Sequence, residues 1–107
     1  MEYIMYKIVC DDLDVKYTYV GSTENFTRRK AQHKMRCKDA TQTLKLYTTM
    51  RENGGFDNLT MVKIETCMCD TKLDARKRER YWYEKMNANL NELRPHATRE
   101  EIYLRKR

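Results

Sequence analysis

Apolar and polar residues alternate through residues 3–10, with Ile4, Tyr6, Ile8 and Cys10 on one side and Met5, Lys7 and Val9 on the other. A two-residue period marks a strand. Asp11-Asp12-Leu13-Asp14 reads as a turn, and residues 15–21, VKYTYVG, as a second strand stopping at Gly21. The two predict an antiparallel hairpin. The period then changes. Thr23 can cap a helix over residues 24–37, where Phe26, Arg29, His33 and Cys37 recur at helical spacing. Residues 41–52 predict a second helix, with Leu44, Tyr47 and Arg51 on one face, Leu46 and Met50 beside them, and Asn53-Gly54-Gly55 as its stop. Residues 59–66, LTMVKIET, read as a third strand, after which Asp70 or Thr71 caps a helix over 71–87. Pro95 lies beyond it in an extended stretch.

The order is ββααβα. It predicts an α+β domain of sandwich-like build, a small three-stranded antiparallel sheet flanked by helices. A chain of 107 residues fits one domain, with its body in residues 1–95 and a charged tail or short helix in 96–107. A domain of this size buries enough surface to fold without disulfides or structural metal.

Charge narrows the class of partner. Twenty-two Lys and Arg against sixteen Asp and Glu give a net charge of +6. Such a surplus favours a polyanion, because each phosphate contact releases condensed counterions. A solvated basic surface without a partner fits composition equally well. The cations are clustered, however: Arg28, Arg29, Lys30, Lys34, Arg36 and Lys38 form one group, and Arg76, Lys77, Arg78 and Arg80 another. No apolar run reaches the length of a membrane span, so no membrane partner is expected. The N-terminus MEYIMYKIVC has no signal-peptide pattern. Four cysteines without an export signal then predict reduced thiols in an intracellular compartment, cytoplasm or nucleus. Cys67 and Cys69 are one residue apart, closer than the usual paired zinc ligands, and read as buried strand thiols.

One position is out of place. The buried stripe of the 71–87 helix is Ala75, Glu79, Trp82, Tyr83 and Met86, with a carboxylate in its middle. A charge there needs a cation, a metal or strong donors. Spacing leaves open a salt bridge to Arg29 or Arg76, or a boundary that keeps Glu79 in water. Arg29 and His33, four residues apart, share a helix face. A guanidinium matches phosphate oxygens, and an imidazole can donate to a phosphate or relay a proton. Tyrosines on strands usually pack, and Tyr3, Tyr17 and Tyr47 are read that way.

Taken together the positions form a constellation. Strand 1 carries Ile4-Met5-Tyr6, and strand 2 carries Tyr19-Val20-Gly21 followed by Ser22-Thr23. Arg29 and His33 follow, then Glu79 within Glu-Arg-Tyr-Trp-Tyr, then Asn91. This ordered set resembles the GIY-YIG nuclease family, homing-type or phage-like, from residue 3 to about residue 95, with five separated positions agreeing in type, order and spacing. The first tripeptide departs from the pattern: Ile4 replaces its glycine and Met5 its isoleucine.

The resemblance implies a metal-dependent endonuclease that hydrolyses DNA phosphodiesters to leave 5′-phosphate and 3′-hydroxyl ends. It implies one divalent cation, Mg²⁺ or Mn²⁺, held by Glu79. In the same reading Tyr6 is the general base, its phenolate favoured by nearby cations. Tyr19 bonds the attacking water or the phosphate, Arg29 clamps a non-bridging oxygen, and His33 assists or takes a proton from Tyr6. Asn91 orders backbone near the site, and Gly21 permits close packing beside the following loop. Arg28, Lys30, Lys34 and Arg36 would track the DNA backbone, which positions a duplex without reading it. Nothing resembles a sequence-reading motif, so target choice is expected to be low or to come from a separate recognition domain or partner protein. The altered first tripeptide leaves one rival, a catalytically inactive nucleic-acid-binding module of the same fold.

Overall fold

A computed structural model describes residues 1–11 and 17–91. Strand β1 spans Glu2–Cys10, β2 Thr18–Thr23 and β3 Leu59–Met68. Helix α1 spans Phe26–Lys38, α2 Lys45–Glu52 and α3 Lys72–Lys85. A 3-10 turn at Phe56–Asn58 leads into β3. The sheet order is β2-β1-β3, antiparallel throughout, so the expected α+β architecture and element order hold.

Both faces of β1 are covered, and that explains its near-continuous burial. Tyr6 and Ile8 pack into a cluster with Cys37 of α1 and with Leu46, Tyr47 and Met50 of α2. Tyr3 and Met5 pack with Cys69, Ala75 and Trp82, beneath α3. The register of β1 against β3 passes from Met5↔Glu65 to Tyr6↔Lys63, which leaves Ile64 as an extra residue on β3. A bulge of this kind bends a strand and re-aims the side chains beside it. Here it falls next to Tyr6.

Several boundaries differ from the sequence expectation. The helix cap is Asn25, whose side chain accepts from the Arg28 N–H, while Thr23 Oγ1 accepts from the Asn25 N–H one step earlier. Both residue types can cap, and only the turn between them decides. Strand β2 runs past Gly21 to Thr23, so this glycine lies inside a strand. Helix α2 starts later than expected, and Leu44, placed by spacing on one helix face with Tyr47 and Arg51, is its N-cap and 50% exposed. Gly54 and Gly55 do end α2, at φ of +92° and +85°. Thr71 caps α3 by accepting from the Asp74 N–H. The four cysteines are free, with Cys69 buried and Cys67 half-buried. Among the described residues no helix is long and apolar enough to cross a membrane. Residues 12–14 of the expected turn, the start of the second strand, Pro95 and the tail at 96–107 lie outside the described residues.

Beyond the sheet, the chain after α3 returns to β2. Asn89 Oδ1 accepts from the Thr18 N–H at 2.8 Å. Asn91 pairs with Val20 on both sides, its Nδ2 donating to the carbonyl at 2.8 Å and its Oδ1 accepting from the N–H at 3.1 Å. The side chain amide thus substitutes for a neighbouring strand along an open edge.

Candidate active site

Tyr6, at 1% exposure, points from the central strand toward α1. Its hydroxyl lies 2.8 Å from His33 Nε2, and Arg29 Nε donates to the same oxygen at 3.4 Å. The helical spacing of Arg29 and His33 makes this possible, since one turn sets both side chains over one strand residue. His33 is wholly buried, and its other ring nitrogen, Nδ1, lies 3.0 Å from the Tyr47 hydroxyl. Rings of Tyr6, Tyr19 and Tyr47 surround the imidazole, with centroids 5.8 to 5.9 Å away. Gln32 accepts from Arg29 Nη1 at 3.1 Å and holds the guanidinium in place.

Gly21 sits directly opposite Tyr6 in the β1–β2 register. A Cβ there would meet Tyr6 Cζ and its oxygen at 2.5 Å, and the Tyr19 ring at 3.1 Å. The glycine therefore gives passage to the phenol of Tyr6, rather than room beside the following loop as expected. A glycine inside a strand commonly marks such a close approach.

Glu79 reaches the same region from α3. It is half-buried and accepts from Ser22 Oγ at 2.8 Å, Ser22 being on β2 just after Gly21. Neither of the two ion pairs left open by spacing forms; Arg76 and Arg29 act on it only through their charge. Burial raises the Glu79 carboxyl above its usual range, opposed by the Ser22 hydrogen bond and by Arg76 and Arg29. A carboxylate with one hydroxyl partner keeps free lone pairs. Oxygen donors of this sort suit a hard divalent cation whose shell is completed by water and phosphate. Among the described residues no group of three or more His, Cys, Asp or Glu forms a metal cage. Among the acidic side chains of the cluster, Glu79 is the one placed to hold such an ion.

Protonation states follow from the burial. The Tyr6 phenol is pushed well above its ordinary value by desolvation and by Tyr19, and Arg29 only partly offsets this. Tyr19 is likewise raised, by burial and by Glu79. The expectation that nearby cations favour the phenolate is thus reversed in the free site: desolvation outweighs one guanidinium. His33 is lowered to about 3, by burial first and then by Arg29 and Arg36, so its imidazole is neutral at pH 7. One ring nitrogen is therefore free to accept a hydrogen bond, while burial and the two arginines disfavour a full charge on the ring.

A groove of about 510 Å³ opens beside this cluster, lined by Ser22, Thr23, Glu24, Asn25, Arg28, Arg29, Gln32 and Lys72. The four cations expected to track a backbone divide here. Arg28 lines the groove, Lys30 is exposed, and Arg36 is half-buried. Lys34 lines a separate hollow of about 360 Å³ with Cys37, Lys38, Arg51 and Phe56. Three further residues join the site without a sequence signal of their own: Tyr47, from a position that reads as core, Gln32, from a polar position without period, and Lys72, in the first turn of α3, which only the fold brings into one groove with Arg28. Ser22, quoted in sequence only as the residue after Tyr19-Val20-Gly21, joins as the partner of Glu79.

The departures in the first tripeptide fall away from the chemistry. Met5 is fully buried under α3, and half-buried Ile4 pairs with Thr23 and Thr66 along the sheet. Neither takes the place of a side chain in the cluster.

Comparison with curated proteins gives no match. The chain superimposes on the catalytic domain of intron endonuclease I-TevI, in its E75A mutant, with a TM-score of 0.71 and 20% identity. That alignment covers 92% of this chain and 98% of the other, and it shows a shared fold. The family model of the GIY-YIG catalytic domain matches residues 2–92, which include every side chain of the cluster. With two phenols, a guanidinium and an imidazole meeting over β1 and β2, and the Glu79 carboxylate near enough to act on them through its charge, the chain belongs to the GIY-YIG family of nuclease catalytic domains.

Proposed function

We propose that this nuclease cuts DNA phosphodiesters with one divalent cation, Mg²⁺ or Mn²⁺, held by Glu79. The observation that supports it best is the Tyr6 hydroxyl, within 2.8 Å of a neutral imidazole and 3.4 Å of a guanidinium. A proton acceptor and a phosphate binder meet at one oxygen.

Tyr6 acts as general base. It takes a proton from the attacking water while His33 Nε2 accepts the phenol's own proton. A bound phosphate makes this easier, because it pairs with Arg29, the second cause of the low His33 value. Arg29 clamps a non-bridging oxygen, with Gln32 keeping the fork aligned. Tyr19 bonds the water or the phosphate. Ser22 orients the Glu79 carboxylate. When bound, the cation supplies Lewis acidity at the phosphate and stabilises the departing 3′-oxygen. The ends are a 5′-phosphate and a 3′-hydroxyl. Arg28 and Lys72, from two elements, grip the backbone across the groove. Target choice is low, or is supplied by a separate recognition domain or a partner protein.

The inactive binding module finds no support in the geometry, since Ile4 and Met5 serve the sheet and core. Plasmid nicking decides the matter. Supercoiled DNA with Mg²⁺ or Mn²⁺ should be relaxed by the natural chain and left intact by Glu79→Ala. Binding without nicking by both proteins would return the assignment to an inactive module.

A further inference from the structure

Arg29 has donors only, and one of them points at the Tyr6 oxygen. The phenol's proton therefore has one side-chain acceptor in the cluster, His33 Nε2 at 2.8 Å. A neutral imidazole carries one N–H, and an accepting Nε2 requires that proton to be on Nδ1. Nδ1 faces the Tyr47 hydroxyl at 3.0 Å. Both partners are sealed from water, His33 at 0% and Tyr47 at 2% exposure. Only a protein group can then satisfy the Nδ1–H.

We infer that Tyr47 is a positioning residue: its oxygen accepts the His33 Nδ1–H, fixes that tautomer, and so keeps Nε2 open to the Tyr6 proton. The inference rests on the general-base reading of Tyr6 and extends it to a three-member chain, Tyr6–His33–Tyr47. The O–H bond of Tyr6 breaks as the N–H bond at Nε2 forms, and Tyr6 takes the water's proton in the same step. The resulting imidazolium donates from both nitrogens, to Tyr6 and to Tyr47. After cleavage the proton on Nε2 returns through Tyr6 to solvent. Without the Tyr47 oxygen, the buried proton moves to Nε2, where the Tyr6 oxygen can accept it. The imidazole then donates to Tyr6 and can take nothing from it.

Helix α2 supplies the residue for a geometrical reason. Leu46 and Met50 anchor the helix in the core, and Tyr47 sits between them in the same cluster as Tyr6. Its ring packs on the imidazole at 5.9 Å between centroids, while its oxygen reaches Nδ1. Ordinary core packing needs the ring. Only the tautomer needs the oxygen.

Nitrogen-15 spectra of the imidazoles test this directly, since the chain has only two histidines, His33 and His96, and His33→Gln identifies the signal. In the natural protein His33 should show a protonated Nδ1 and an unprotonated Nε2. In Tyr47→Phe, which keeps the ring and the fold, the pattern should reverse toward Nε2–H. Single-turnover cleavage by that variant should fall about 10- to 100-fold with DNA affinity within about twofold. A protonated Nε2 in the natural protein would overturn the inference, whatever the cleavage data show. So would a Tyr47→Phe variant that cleaves at the natural rate with its imidazole pattern unchanged. Loss of activity in the natural chain itself would instead count against the nuclease mechanism, and leaves the tautomer measurement readable.

Discussion

The phenol of Tyr6 passes over the Cα of Gly21 so closely that a methyl group there would stand 2.5 Å from its ring carbon and its oxygen. The ring has no easy retreat, because His33 holds the oxygen and Phe26 packs edge-on against the ring at 6.3 Å. Gly21→Ala should therefore cost about 1–3 kcal/mol by overpacking and slow cleavage at least about 100-fold by displacing the oxygen. In a Tyr6→Ala background the same substitution should cost little, since the colliding ring is gone. Denaturant melts of the four proteins measure the coupling; equal costs in both backgrounds would remove the contact from the account.

Loss of the oxygen alone is the companion prediction. Tyr6→Phe keeps the ring and its packing but removes the base, so single-turnover cleavage should fall about 10²- to 10⁴-fold. DNA affinity, read by fluorescence anisotropy, should stay within about twofold. A parallel fall in affinity would make Tyr6 a binding residue only.

Arg29 and Arg28 are adjacent in sequence and differ in where they point. Arg29 touches the Tyr6 oxygen, while exposed Arg28 lines the groove. Arg29→Ala should lower the rate at saturating DNA far more than it weakens binding, because its hydrogen bonds strengthen as charge develops on the phosphate. Arg28→Ala should weaken binding and lower the salt slope by about 1. The measurement is a salt titration beside single-turnover rates. Matching profiles for the two variants would contradict the division.

Periodicity carried the fold's outline and much of its site. Alternation located β1, and helical spacing put Arg29, His33 and Cys37 on one face of α1, where His33 and Cys37 are buried. Glu79 stood out because a charge interrupted an apolar stripe. What the sequence could not show depended on pairs distant in the chain. Tyr47 has the spacing of a core residue and is one; its second role arises only because His33 lies across the helix interface. The Ile64 bulge needs the register of two strands separated by about fifty residues in sequence. Gly21 reads as a strand end to a rule that treats glycine as a breaker, yet the physical reason for it is the ring opposite. The charges of Arg28 and Lys34 look alike in sequence and face different hollows, since six positions along a helix is nearly two turns, offset in angle.

Protonation of His33 should shape acid stability. The folded protein holds this group at about 3 against an ordinary value of 6.5, so it favours the neutral form. The stabilisation is complete above pH 6.5 and declines as pH falls toward 3, where the unfolded chain binds a proton that the folded chain resists. The cleanest interval is roughly pH 6.5 to 5, above most carboxylate titrations. Natural chain stability, read from urea midpoints, should drop across it, and His33→Gln should flatten the slope there. An unaltered slope in the variant would show that other groups set it.

Where the ion binds relative to Glu79 can be read by X-ray scattering. The Glu79 carboxyl is raised by burial and bonded to Ser22, a costly arrangement for a group that pairs with neither Arg29 nor Arg76 and feels only their charge. Crystals of the natural chain with DNA bearing an uncleavable phosphorothioate, soaked in Mn²⁺, would locate the ion by its anomalous scattering. One manganese ion should be found at the Glu79 carboxylate, beside the phosphate that Arg29 holds. Manganese bound elsewhere, with Glu79 still hydrogen-bonded to Ser22 alone, would contradict that placement.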